Sequence, residues 1–159
     1  MIIQALTIVP EEVRLDFLPG IHKKHFMTLE NTLYNMMGLF SDNTYDGGYW
    51  DFYIGTNGEK LPILRGQAFD TAGSPLSGNE VENIRSEYLS FVAWTATLSA
   101  VCSKYQDEEL ADLYHKMIDW FYDQAERIRE YKDNAESQEV IDLLDLELEQ
   151  FSKVFRLID

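Results

Sequence analysis

Residues 89–102, LSFVAWTATLSAVC, are apolar around most of the circumference of a helix. A helix with this pattern has no face suited to water, so it must be surrounded by other elements. Just upstream, Ser77 and Glu80 have the spacing of a capping box, with Leu76 and Val81 placed as a hydrophobic staple. The sequence therefore predicts a central core helix that begins at this box and ends near Tyr105.

Three further segments carry apolar residues at three- and four-residue steps, as amphipathic helices do. The first runs from His25 to about Ser41, and the second follows Asp107, which is suited to an N-cap. The third starts near Ser137 and carries apolar positions as far as Phe155. With the core helix, these segments give about four main helices.

Strands are predicted on both sides of an Asn57-Gly58 turn signal. Aromatic and β-branched residues fill 49–54, with Trp50 on one face and Asp51 on the other, and residues 61–64 form the returning strand. Pro62 favours an edge position for that strand, and the apolar segment 2–9 predicts a third strand. The interval 66–78 is rich in turn formers and is predicted to be a loop. We expect an α+β fold in one compact domain over residues 1–159, mainly helical, with a small antiparallel sheet of about three strands.

The charge is strongly acidic and unevenly distributed. Acidic side chains number 28 against 13 basic ones, a net charge of −15, which disfavours direct binding to nucleic acid. Residues 107–150 hold 15 of the acidic and 4 of the basic side chains. Two interpretations stay open: solvated outer faces of amphipathic helices, or a DNA mimic that competes for the DNA channel of a restriction enzyme or another DNA-binding protein. The carboxylates that the mimic would use are Asp112, Asp119, Asp123, Glu126 and Glu130.

No sequence motif predicts a metal, a cofactor or a nucleophile. His22 and His25 are three apart without further ligands at metal-site spacing, and the segment after Asp42 lacks the final glutamate of a calcium loop. Asp46 and Asp51 form the one candidate acid/base pair, as in glycoside hydrolysis, and ordinary turn and strand carboxylates are the competing interpretation. We expect a protein without enzymatic activity.

Two segments together resemble the bacterial antirestriction family that includes ArdB and KlcA. They are VPEEVRLDFLPGIHKKHFMTLENTLYNMMG (9–38) and YDGGYWDFYIGTNG (45–58), and the helix after LSGNE extends the similarity to most of residues 7 to about 145. After Asn57-Gly58 the chain departs from the family's aromatic-Met-x-Pro pattern, and residues 146–159 resemble a helical extension. The shared positions with an expected structural role are Arg14, Glu30, Tyr45, Gly47, Gly48, Trp50, Phe52, Asn57 and Gly58.

The resemblance implies a small cytoplasmic protein of plasmids or genomic islands that relieves type I restriction of incoming DNA without catalysis. Its implied partner is a type I restriction-modification enzyme or an associated host DNA-processing protein. No segment is long and apolar enough to span a membrane, and no signal peptide is expected. Because tyrosines favour interfaces, the aromatic strand is the expected interaction site, through Asp46, Tyr49, Asp51 and Tyr53.

Overall fold

Helix α3 (Ser86–Tyr105) is the centre of the protein, because every residue from Ser86 to Leu98 is buried. The computed structural model describes residues 6–159, so the start of the first predicted strand lies outside the described residues. In chain order the elements are β1 (Thr7–Ile8), a 3-10 helix (Glu11–Asp16), α1 (Phe17–Ile21), α2 (Phe26–Phe40), β2 (Trp50–Ile54), β3 (Lys60–Leu64), β4 (Ala68–Phe69), β5 (Ile84–Arg85), α3, α4 (Glu108–Asp133) and α5 (Gln138–Ile158).

The predicted fold class is confirmed: four long helices enclose one core beside a small antiparallel sheet. Helix α3 contacts α2, α4, α5 and strand β3, as its apolar circumference requires. Asp107 caps α4 by accepting a hydrogen bond from the Leu110 amide at 3.0 Å, and α5 follows Ser137 as expected. Among the described residues, no helix is long and apolar enough to cross a membrane.

The sheet has the strand order β1-β2-β3, with both pairs antiparallel. The predicted hairpin is present: Trp50 is opposite Leu64 and Ile54 is opposite Lys60. The Gly55 amide closes the turn by donating to the Glu59 carbonyl at 2.8 Å, and Gly58 adopts the positive φ of +84° that the turn needs.

Strand β3 lies at an edge of this sheet, as Pro62 predicts, and helix α3 covers that edge. The Ser90 hydroxyl accepts a hydrogen bond from the Leu64 amide at 2.9 Å, and the Ser86 hydroxyl donates to the Leu64 carbonyl at 2.8 Å. Trp94 Nε1 donates to the Lys60 carbonyl at 2.8 Å. Within residues 6–159, three side chains of one helix thus bind the edge where a further strand would otherwise pair.

The predicted start of the core helix is wrong. The helix begins at Ser86, and the preceding Ile84 and Arg85 pair with Ala68 and Phe69 in a two-stranded ladder inside a region predicted to be partly loop. Ser77 is not a helix cap, because its hydroxyl donates to the Arg156 carbonyl at the end of α5, at 2.7 Å. Ser74 and Asn79 donate to the last carbonyls of α5 in the same way. The segment caps the C-terminus of another helix, where carbonyls have no partner within the helix.

Candidate functional site

Strand β2 places three of the four predicted interaction residues beside one another. Tyr49 precedes the strand and is exposed, whereas Asp51 and Tyr53 lie within it and are half-buried. Asp46 is exposed in the preceding loop and, in the described structure, does not line the two clefts around the other three. The structure therefore brings together Tyr49, Asp51 and Tyr53, and leaves Asp46 apart.

The ring of Tyr49 lies between two guanidinium groups. The Cζ atoms of Arg14 and Arg65 are each 4.5 Å from the ring centroid, a distance at which cation–π attraction is effective. Arg14 also donates hydrogen bonds to the Tyr49 hydroxyl and, at 2.6 Å, to the Trp50 carbonyl. These contacts hold an exposed aromatic ring in one orientation.

Asp51 forms a bidentate ion pair with Arg65, the strongest geometry for a carboxylate and a guanidinium. The Arg65 Nε and Nη2 atoms donate to the two Asp51 oxygens at 2.8 and 2.7 Å. Both residues line two neighbouring clefts, one of about 190 Å³ beside Tyr49 and one of about 480 Å³ beside Tyr53. The Asp51–Arg65 pair is thus a charged ridge between two concave surfaces.

The larger cleft lies between the β2–β3 hairpin, the β4–β5 ladder and the first turn of α3. Its apolar walls are formed by Ile63, Leu64 and Ala68. Burial raises the pKa of the Tyr53 hydroxyl, and the nearby Asp51 carboxylate raises it further. Tyr53 therefore stays protonated at neutral pH and available as a hydrogen-bond donor, and within residues 6–159 its hydroxyl has no hydrogen-bond partner.

The glycines and the tryptophan of the aromatic motif have structural positions. Trp50 is buried, and its Nε1 donates to the Tyr45 hydroxyl at 3.0 Å. A Cβ at Gly48, where φ is +152°, would lie 2.6 Å from the Leu64 side chain, and Gly47 has a φ of +107°. Both glycines therefore permit a backbone that other residues adopt only with strain.

The remaining motif residues also contact the framework. Phe52 stacks on Phe17 with ring centroids 4.5 Å apart. The Tyr34 hydroxyl donates to Glu30 at 3.2 Å, and burial together with this carboxylate raises the pKa of Tyr34 to about 12. The exposed Asn57 lies in the turn, where its amide donates to the Glu59 carboxylate at 2.9 Å.

The proposed acid/base pair is not favoured by these surroundings. Both oxygens of Asp51 accept hydrogen bonds from Arg65, and Asp46 has no polar contact within the described part of the chain. A general acid or base needs an oxygen directed at the reacting group. Asp51 instead fixes the position of the Arg65 guanidinium through these two hydrogen bonds.

Sequence inspection missed Arg65, although the hairpin register contains the signal for it. Asp51 is opposite Ile63, so Arg65 is the diagonal neighbour of Asp51 on the same face. Once the Asn57-Gly58 turn fixes the register, an acidic residue and a basic residue in this relation predict an ion pair.

His22, His25 and Asp107 form a second polar cluster, with potential ligand atoms within 4.8 Å of one another. The His22 Nδ1 atom accepts hydrogen bonds from the Lys24 and His25 amides, so His22 carries its proton on Nε2 and donates it to Asp107 at 2.7 Å. A metal bound at Nε2 would displace that proton while Nδ1 is already an acceptor. The His22–Asp107 hydrogen bond instead links the α1–α2 junction to the α3–α4 junction.

Comparison with solved structures gives a strong similarity over nearly the whole chain. A solved structure of the KlcA and ArdB proteins superposes with a TM-score of 0.67 at 20% sequence identity, covering 98% of this chain and 96% of that chain. The KlcA and ArdB proteins are described as having a novel fold, and as showing antirestriction activity against type I DNA restriction systems in vivo but not in vitro. No protein-family model and no curated protein sequence matches the chain.

Proposed function

Because the chain has the fold of the KlcA and ArdB proteins, we propose that it is an antirestriction protein that relieves type I restriction of incoming DNA. The observation that carries this proposal is the extent of the similarity, which spans nearly all of both chains. The partner is a type I restriction-modification enzyme or an associated host DNA-processing protein. The protein acts by contact with that partner and without catalysis.

We assign the contact to the ridge and clefts around Tyr49, Asp51 and Tyr53. An exposed tyrosine held between two arginines keeps its ring ordered, so little side-chain entropy is lost when a partner covers it. The two clefts on either side of the Asp51–Arg65 pair provide concave surfaces for partner side chains. This combination of aromatic anchor and adjacent pockets is typical of protein interfaces.

The test is the plating efficiency of unmodified phage on cells with a type I restriction system, with and without the protein. The chain should raise plating, and Tyr49→Ala, Tyr53→Ala and Asp51→Asn should each reduce the effect by about tenfold, the loss expected when an interface contact worth about 1.4 kcal/mol is removed. Tyr131→Ala is the matched control, since Tyr131 is 69% exposed on α4. Full activity in all three variants, with folding verified by circular dichroism, would exclude this contact site.

A second mechanism, the DNA mimic, is favoured by the carboxylates of α4. At roughly 100° per residue, the five carboxylates lie within about 30° of one line along the helix, opposite the buried face that contains Met117 and Phe121. The five exposed members of this acidic stripe are Asp112, Asp119, Asp123, Glu126 and Glu130.

The two mechanisms differ in a purified system. A mimic competes directly for a DNA channel and would act on a purified enzyme, whereas the KlcA and ArdB activity is described in vivo but not in vitro. That difference supports contact through a further cellular protein. Neutralising the acidic stripe with Asn and Gln should therefore leave relief of restriction intact. Salt-sensitive binding to the purified restriction enzyme, lost in the neutralised variant, would instead support the mimic.

A further inference from the structure

The 480 Å³ cleft beside Tyr53 contains a carboxylate that its surroundings compensate poorly. Glu87, in the first turn of α3, lines this cleft and is 9% exposed. Its nearest cation is Arg85, whose Nη1 lies 3.5 Å from Glu87 Oε1. The same guanidinium lies closer to Glu147, with Nη2 to Oε1 at 2.8 Å. Among residues 6–159, Glu87 therefore shares its nearest guanidinium with a second carboxylate.

The pKa of Glu87 reflects this environment. Burial raises it, Arg85 lowers it in part, and the second carboxylate, Glu147, raises it further. A buried carboxylate of this kind gains stability from an added cation, because the cation supplies the hydrogen bonds and charge that water no longer gives.

The other charges around the cleft exclude an anionic ligand. Arg65 is already paired with Asp51, and Arg85 is shared between Glu87 and Glu147. In the described part of the chain, both guanidiniums at the cleft are thus already bound to carboxylates, and the whole chain carries a net charge of −15. A phosphate or a nucleic acid would meet an excess of negative charge here.

The walls favour a cation carried on an apolar stem. Ile63, Leu64 and Ala68 line the cleft, and Tyr53 adds an aromatic ring with a hydroxyl that has no partner in the described chain. Lysine and arginine side chains have this composition, with methylene groups that pack on apolar surface and a charged end that binds carboxylates.

We propose that this cleft binds a basic segment of the partner protein, with one arginine or lysine side chain reaching Glu87. The stem lies against Ala68, Ile63 and Tyr53, and the charged end binds the Glu87 carboxylate. The identity of the partner as a restriction-related protein rests on the proposed function, whereas the chemistry of the cleft does not. Charge complementarity selects this occupant over a second copy of the acidic chain.

The purified full chain tests the chemistry directly, with n-butylguanidinium as the probe and uncharged n-butylurea as its matched neutral analogue. Amide NMR signals of Gln67, Ala68, Ser86 and Glu87 should shift saturably with the cation, and n-butylurea should bind at least about tenfold more weakly, the loss of one charge-assisted hydrogen bond. Equal binding of the two probes, or shifts elsewhere only, would overturn the proposal.

Two variants locate the binding. Glu87→Gln keeps the shape of the side chain, removes its charge and should weaken the cation about tenfold, whereas Glu139→Gln, at an exposed position of α5, should have no effect. Ala68→Phe narrows the cleft without changing a charge and should also weaken binding. This second variant tests the location of the site even if Glu87→Gln folds poorly. Unchanged affinity in Ala68→Phe would contradict the assigned location.

The plating assay separates this inference from the proposed function. Loss of restriction relief in Glu87→Gln but not in Glu139→Gln supports the cleft as the partner site. Relief by a chain that does not bind the cation would refute the cleft and leave the proposed function in place. Cation binding by a chain with no effect on type I restriction would refute the proposed function and retain the cleft as a site for basic segments.

Discussion

His25 is a buried histidine at the junction of α1 and α2, stacked on Tyr105 with ring centroids 3.9 Å apart. Burial lowers its pKa, as do the nearby His22 and Lys24, while Asp107 raises it in part. The unfolded chain, with a histidine pKa of about 6.5, therefore binds more protons than the folded chain between the two pKa values. The stability that the neutral ring contributes is fully present above about pH 6.5 and is lost as the pH falls.

This residue gives a pH-dependent prediction. The free energy of unfolding, measured with urea at pH 7.5 and 5.5, should fall with pH, and His25→Phe should reduce that fall because phenylalanine keeps the stacking and does not titrate. His115→Gln, at an exposed position on α4, should behave like the parent chain. An identical pH dependence in His25→Phe and the parent would show that His25 is not the titrating group.

The contact between helix α3 and strand β3 depends on the hydroxyl groups of Ser86 and Ser90. Ser90→Ala should destabilise the protein by about 1–3 kcal/mol, because the Leu64 amide would remain buried without a partner. Thr97→Val is the matched control, since the Thr97 hydroxyl only donates to the Ala93 carbonyl of its own helix, at 2.7 Å. Urea unfolding of both variants measures the difference. Equal losses would mean that the hydroxyl of Ser90 does not stabilise the edge.

Secondary structure was predictable where local pattern and tertiary contacts agree. The α4 cap at Asp107 and the β2–β3 hairpin at Asn57-Gly58 are local devices, and the structure retains both. The capping box at Ser77 has equally good local spacing, yet the Ser77 hydroxyl donates to the distant Arg156 carbonyl of α5. Residues separated by 79 positions in sequence decide that outcome, and no local pattern contains such a contact.

In the candidate site, too, local pattern predicted some features and tertiary contacts decide the others. The strand and its aromatic alternation were visible in the sequence, so the face containing Tyr49, Asp51 and Tyr53 could be named. The cleft that contains Glu87 was not predictable, because it forms where the hairpin, the β4–β5 ladder and the shifted start of α3 meet. The predicted helix starts at Ser77 and therefore has Glu87 in its interior. The position of Glu87 at the cleft depends on the observed start at Ser86.

For the whole molecule, the end of α5 completes the core. Phe151, Val154 and Leu157 are each at most 1% exposed, and together their burial contributes roughly 5–9 kcal/mol. The net stability of a domain of this size is typically about 5–15 kcal/mol. The segment predicted as an extension, 146–159, therefore belongs energetically to the folded unit.

A chain shortened to residues 1–145 should consequently lose cooperative unfolding and bind a hydrophobic dye. Circular dichroism during heating and dye fluorescence are the measurements. Leu146→Gln, at a position 60% exposed within the same segment, should retain the parent's transition. A cooperative transition in the shortened chain within a few degrees of the parent would show that the core is complete without α5's last turns.

The covered edge of β3 also bears on how the protein behaves when crowded. A bare strand edge is a template onto which another chain can add, and such additions propagate into fibrils. Here Ser90, Ser86 and Trp94 bind the Leu64 amide, the Leu64 carbonyl and the Lys60 carbonyl of that edge, and Pro62 offers no amide donor. A chain overproduced in its host can thus accumulate without its β3 edge seeding insoluble aggregates.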